Sequence, residues 1–206
     1  MRKHQMKLIT ETNNQTNSWG MAAEVLEGSK SPFLNGIKKT TLVDYVRKYA
    51  YRHGEFTLSS GQTTQHYVNM KPIILTGTGL GLISEMILEL IDTHCVAGLT
   101  LGADPLVSGV AMKGGIAGLI IRKEPKGHGT QSQIEGPLPP LGTKIAVLED
   151  VSTTGESALK AVKVLRDNDF VVDTVVSVLD REGGAKQLME DNGITLRSLC
   201  YLSEIV

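Results

Sequence analysis

Ile145-Ala146-Val147-Leu148-Glu149-Asp150-Val151-Ser152-Thr153-Thr154-Gly155-Glu156-Ser157-Ala158-Leu159 is the stretch whose reading decides the fold. It opens with a short apolar run rich in β-branched residues, the pattern of a strand buried on both faces. Two adjacent carboxylates, Glu149 and Asp150, end the run. Small hydroxyl residues and one glycine follow, and then apolar residues at helical spacing through Leu159, Val162 and Leu165. Such a loop can turn several N–H groups toward one anion at the positive end of the helix. Ser152, Thr153, Thr154 and Ser157 add hydroxyl donors, and the acid pair would stand beside a sugar carrying that phosphate. The stretch taken alone also fits an ordinary capped strand–turn–helix with solvated acids. It is not a Walker loop, because no Gly-Lys-Ser/Thr follows.

The whole chain is compatible with that reading. Its 206 residues, 41% hydrophobic and 21% charged, suit one globular domain. A net charge of −1 gives no electrostatic footprint for nucleic acid or an anionic membrane. No apolar run approaches the ~20 residues that span a bilayer, and no secretory signal opens the chain. The only cysteines, Cys95 and Cys200, lie among apolar residues and read as buried thiols in a reducing, cytoplasmic setting.

Residues 1–36 are polar and read as an extension, with 37–206 as the domain. The spacing predicts a helix from Thr40, capped by Thr40 or Thr41 and stopped at Gly54. Phe56 to Pro72 alternates like two short strands around a glycine turn, and Thr76 to Asp92 repeats as an amphipathic helix. Gly77, Gly79 and Gly81 lack the dinucleotide spacing, since Leu82 breaks it. Strands follow at Cys95–Leu101 and Ala117–Ile121, with a helix between them to about Met112. Residues 123–142 hold glycines and prolines with few apolar side chains, a connection expected to be mobile and functional. After the central stretch come a helix to Asp169, a strand Val171–Leu179, a short helix Ala185–Asn192 and a strand Thr195–Leu202. Strands alternating with helices imply a mostly parallel sheet flanked by helices, with ligands outside the carboxyl ends of its strands. Leu101-Gly102, Arg122, Asp150 and Arg181 all fall at such ends.

Val147 to Leu159 resembles the diphosphoribosyl-binding motif of the type I phosphoribosyltransferases. Three further segments resemble the orotate phosphoribosyltransferases: Phe56 to Gly61 with Tyr67-Val68-Asn69, the run Arg122-Lys123-Glu124-Pro125-Lys126-Gly127-His128-Gly129, and Asp180-Arg181. Together they cover roughly residues 40–200. The resemblance implies a type I phosphoribosyltransferase fold with a small N-terminal hood and a mobile catalytic loop. It implies transfer of phosphoribosyl from phosphoribosyl diphosphate to orotate, with Mg²⁺, in a homodimer whose loops reach the neighbouring site. The alternatives are a purine or uracil phosphoribosyltransferase and a nucleotide-sensing regulator on the same fold.

The resemblance also implies residue roles, and the chemistry supports them, since breaking a bond between ribose and diphosphate builds negative charge on the leaving group. Arg122, Lys123, Lys126 and His128 supply cations, with Lys126 or His128 the general acid. Glu149 and Asp150 hold the ribose hydroxyls, and Val151, Ser152, Thr153, Thr154, Gly155, Glu156 and Ser157 cradle the phosphate. Asp150 counts with Lys126 and His128 as catalytic. Arg181 can pair bidentately with the carboxylate of orotate, with Thr153 and Tyr67 beside the base. No direct protein ligand to Mg²⁺ is expected, because the ion is held mainly by substrate oxygens. The chain departs from the family pattern in having Ser59 and the Gly102–Leu106 loop where many members carry lysines, and Asn69 where many carry Asp. The cationic load would then rest on Arg122 to His128 and on Lys71.

Overall fold

The computed structural model describes residues 34–57, 63–125 and 133–206. An N-terminal helix α1 (Leu34–Tyr45) continues as a π-helical turn, Val46–Ala50, into an antiparallel hairpin of β1 (Tyr51–Thr57) and β2 (Thr63–Val68). Helices α2 (Lys71–Ile74) and α3 (Gly77–Leu88) lead to the main sheet. Its elements are β3 (Cys95–Leu99), α4 (Asp104–Gly114), β4 (Ala117–Ile121), β5 (Ile134–Glu135), β6 (Lys144–Ser152), α5 (Glu156–Arg166), β7 (Val171–Asp180), α6 (Ala185–Asp191) and β8 (Thr195–Tyr201), closed by a short turn of helix, α7 (Leu202–Ile205).

The strands lie in the order β5-β4-β3-β6-β7-β8, all parallel except β5. From β3 the chain winds outward to β4 and then returns to place β6 on β3's other side. The direction of winding therefore reverses between β3 and β6, and open α/β sheets form a crevice at such a point.

Burial on both faces explains the composition of β6. Ile145 and Val147 pack toward α5 and α6 with Val162, Leu165 and Met189. Ala146 and Leu148 pack toward α1, α3 and α4 with Leu42, Ile83 and Val107. All four strand residues are at most 2% exposed. Among the described residues no helix is long and apolar enough to cross a membrane.

Several expected boundaries move. The first helix begins at Leu34 rather than Thr40 and gives way to strand at Tyr51, so Gly54 sits within β1. Thr41 is not a cap; its hydroxyl donates to Ile37 O one turn back. The helix expected over Thr76 to Asp92 ends at Leu88, and Thr76 caps it by accepting from Gly79 N–H at 3.1 Å. Strand β6 runs on through Ser152, because β7 continues to pair with it at Val151 and Ser152. The acids therefore lie within a strand rather than at its end. The connection 123–142 also contains β5, held on β4 with Ile134 buried, so residues 133–135 are a fixed part of the sheet. Residues 1–33, Ser59, Gly61, Lys126 and His128 lie outside the described residues.

Gly155, where β6 passes into α5, has φ +86°, and a β-carbon there would lie 3.2 Å from Ala185 Cα and from Met189 Cε. Gly155→Ala should cost about 1–3 kcal/mol, combining left-handed strain with crowding. A denaturant midpoint equal to wild type would show that the turn relaxes freely.

Candidate active site

Three strand ends meet at the winding reversal. β3 leads into Thr100-Leu101-Gly102-Ala103, with a cis peptide between Thr100 and Leu101. β6 delivers Glu149 and Asp150, and β7 delivers Asp180 and then Arg181. Gly102 lies so close to Asp150 that a β-carbon on it would sit 2.6 Å from Asp150 Oδ1. That oxygen accepts Val151 N–H at 3.0 Å.

The loop after Asp150 is laced to its neighbour by main-chain bonds. Arg181 N–H donates to Ser152 O at 2.8 Å, and Ala185 N–H donates to Thr153 O at 3.1 Å. Gly155 occupies the N-cap of α5 and brings no side chain to cap it, which leaves first-turn N–H groups for a bound anion. Thr154, Glu156 and Ser157 are exposed around this helix start, Val151 and Thr153 are half-buried, and Ser152 is 2% exposed.

Buried polar atoms without partners mark the site more sharply. Among the described residues five side chains carry one: Ser84, Asp104, Glu149, Ser152 and Arg181. Ser84 lies in helix packing against Gly109. The other four belong to the carboxyl ends of β6 and β7 and to the start of α4. Buried polar atoms are nearly always paired, so a group of orphans at one sheet edge is what a bound ligand would satisfy. Asp104 was not among the residues expected from sequence. Thr100 Oγ1 donates to its Oδ2 at 2.8 Å, leaving Oδ1 unpaired. Its sequence signal was only an acid in the first turn of a helix, which is common.

Burial pushes the Glu149 carboxyl up to about 8, and the adjacent Asp150 charge adds to the effect. At neutral pH Glu149 is therefore largely protonated and can donate as well as accept a hydrogen bond. Asp180 is also raised, again by burial.

Arg181 ties this edge to the hairpin. Its Nη2 donates to His66 O at 2.9 Å and to Thr64 Oγ1 at 3.4 Å, while Nε stays buried and unpaired. Thr64 and His66 were not anticipated, because nothing local in β2 signals a partner more than a hundred residues away. Tyr67 stacks on Phe56 with ring centroids 5.2 Å apart. Strand alternation turns it to the opposite face of β2 from Thr64.

Arg122 directly follows β4 and stands 3.5 Å from Glu135. Its N–H donates to Gln133 O at 2.8 Å, which clips together the two ends of the connection carrying Lys126 and His128. Lys123 is exposed, Glu124 pairs with Lys160 of α5 at 3.3 Å, and Lys71 is exposed at the start of α2. The structure thus brings together Glu149, Asp150, residues 151–157 and Arg181. This edge is equipped to hold a phosphate at α5, a polyhydroxylated ring at the acids and a planar anion at Arg181.

No family model matches the chain. It is 50% identical over 163 residues to the orotate phosphoribosyltransferase of Thermosynechococcus vestitus, covering 76% of this chain and 86% of that one. It is 40% identical over 207 aligned residues to the orotate phosphoribosyltransferase of a Nostoc species, covering 97% and 96%. The crystal structure of the Mycobacterium tuberculosis orotate phosphoribosyltransferase in complex with 5-phospho-α-D-ribosyl 1-diphosphate superposes with a TM-score of 0.70 at 34% identity, over 82% of this chain and 98% of that one.

The raised Glu149 carboxyl makes a stability prediction. Between its ordinary value near 4.5 and about 8 the folded chain binds the proton more tightly than the unfolded chain. That contribution is fully present below about 4.5 and is lost as pH rises through about 8. Glu149→Gln removes the dependence, so its melting temperature relative to wild type should climb from pH 5 to pH 8.5. A difference that stays flat across this range would contradict a buried, proton-holding Glu149.

Proposed function

The chain belongs to the orotate phosphoribosyltransferase family, built on the type I phosphoribosyltransferase fold, and on that premise we propose how its residues carry out the reaction. Phosphoribosyl passes from phosphoribosyl diphosphate to orotate, giving orotidine monophosphate and diphosphate, a step of pyrimidine biosynthesis. The ribose C1–O bond breaks with its electron pair leaving on diphosphate. The C1–N1 bond to the base forms as N1 loses its proton.

The observation that carries the assignment of roles is the gathering of orphaned polar atoms at one sheet edge, beside a helix start without a side-chain cap. The 5-phosphate sits on residues Val151 to Ser157, with N–H groups of α5 and the hydroxyls of Thr153, Thr154 and Ser157 as donors. Ser152 adds its buried, unpaired hydroxyl. Asp150 accepts from a ribose hydroxyl, and protonated Glu149 both gives and takes a hydrogen bond there. Arg181 turns its free Nε to the orotate carboxylate while Nη2 stays on the hairpin; a hydrogen bond between charged groups there would be worth ~1.5–3 kcal/mol.

Mg²⁺ fits this edge, where the unpaired Asp104 carboxylate oxygen would add a hard ligand to the oxygens the substrate brings. Bound mainly by ribose and diphosphate oxygens, it would spread the charge of the leaving group. The cations Arg122, Lys123, Lys126 and His128 complete that neutralisation, with Lys126 or His128 giving a proton to the departing oxygen. In the functional assembly, a homodimer, this connection reaches the neighbouring subunit's site. Two free, buried cysteines accord with a reducing cytoplasm.

Protein, Mg²⁺ and phosphoribosyl diphosphate should change the absorbance of orotate and leave uracil, adenine and hypoxanthine untouched. Asp150→Ala should lose activity at least tenfold while folding normally, as expected for loss of a charged hydrogen bond of ~1.5–3 kcal/mol. Activity within a factor of two would remove Asp150 from the ribose grip. For the shared site, inactive Lys126→Ala and inactive Asp150→Ala are mixed under conditions of demonstrated subunit exchange. One intact site per mixed dimer should restore activity toward a quarter of wild type. A mixture that stays dead assigns the connection to its own subunit.

A further inference from the structure

We propose that Glu182, held by the C-terminal turn α7, is a positioning residue that aims Arg181 at the base. The inference rests on the reading of Arg181 given above and deepens it. Glu182 has φ +58°, a left-handed conformation that a residue with a β-carbon adopts only when its surroundings hold it there. The holding groups are specific. Ser203 N–H donates to Glu182 Oε2 at 2.9 Å, and Ser203 Oγ–H donates to Oε1 at 3.1 Å, so both carboxylate oxygens are engaged. Glu182's own N–H donates to Asp180 Oδ1 at 2.8 Å, and Asp180 is only 4% exposed.

Arg181 is thus flanked by a buried acid on one side and a tethered, left-handed residue on the other, with its N–H on Ser152 O at 2.8 Å. These constraints fix the backbone from which its side chain leaves β7. The tether's far end is itself anchored. Arg47 of the turn after α1 donates to Ile205 O at 3.2 Å and to Glu204 O at 2.5 Å, and Lys39 pairs with Glu204 at 2.7 Å. Ile205 is buried at 4% exposure. A binding arginine is only as selective as its support is rigid, and here the support runs through α7 to the N-terminal helix.

Steady-state kinetics with each substrate varied in turn tests this. Glu182→Gly keeps the left-handed conformation accessible and deletes the tether. Its KM for orotate should rise about three- to tenfold, the size of one or two net hydrogen bonds. Its kcat, its KM for phosphoribosyl diphosphate and its melting temperature should stay near wild type. Glu182→Gln, retaining one acceptor oxygen, should recover part of the loss. Ser203→Ala should raise the orotate KM in the wild-type background and add nothing to Glu182→Gly. Arg181→Lys serves as the control on the underlying reading: if it leaves the orotate KM unchanged, Arg181 does not grip the base. If Arg181→Lys raises that KM and Glu182→Gly does not, the tether is structural only. A rise in both substrate KM values, together with a fall in melting temperature, would equally make the tether structural and overturn the positioning role.

Discussion

The structure depends on one constraint: a parallel sheet buried on both faces can carry polar chemistry only where its strands end. Ile145 to Leu148 have no room for a charged atom, since apolar side chains from both helical layers close on them. The next two residues along the strand, Glu149 and Asp150, are the first to carry carboxyl groups. The strand order sets three such ends, of β3, β6 and β7, side by side at the winding reversal. Glu149, Asp150 and Arg181 lie at or next to those ends. Gly102 follows from the same crowding, because the loop after β3 passes against Asp150 with no space for a side chain.

The site is also where the protein is least well satisfied. Asp104, Glu149, Ser152 and Arg181 each bury a polar atom without a partner, and Glu149 holds a proton at neutral pH because burial makes its charge costly. A sequence selected for stability alone would have paired or replaced these atoms. Their retention at a single edge argues for a ligand that supplies the missing partners. The same logic separates Arg181 from an ordinary surface arginine: it spends one nitrogen on the hairpin and keeps another buried and free.

What was legible in the sequence was whatever is encoded locally. The β-branched run of β6, the apolar strand Ala117–Ile121 and the helical stripe of α5 each carry their own periodicity, and each formed as the expected type of element, although β6 runs on to Ser152 and α5 stops at Arg166 instead of Asp169. The acid pair and the hydroxyl–glycine loop were legible for the same reason. What escaped depends on distant partners. The π-helical turn before Tyr51 has no local signature, β5 exists because β4 offers an edge, and α7 is a single turn tied to Arg47 and Glu182. The roles of Thr64 and His66 O toward Arg181 could not be read from β2, since its alternation says which residues face inward but not what they meet.

The two-residue strand β5 has a consequence outside catalysis. Without it, β4 would end the sheet as an open ladder of unpaired N–H and C=O groups, a template onto which another chain could add. Ile134 and Glu135 close the part of that ladder nearest the site, opposite Ile121 and Ile120. The connection from β4 to β6 therefore doubles as an aggregation guard. Shortening it to study turnover would also uncover an adhesive margin, and the yield of soluble protein would fall for reasons unrelated to the chemistry.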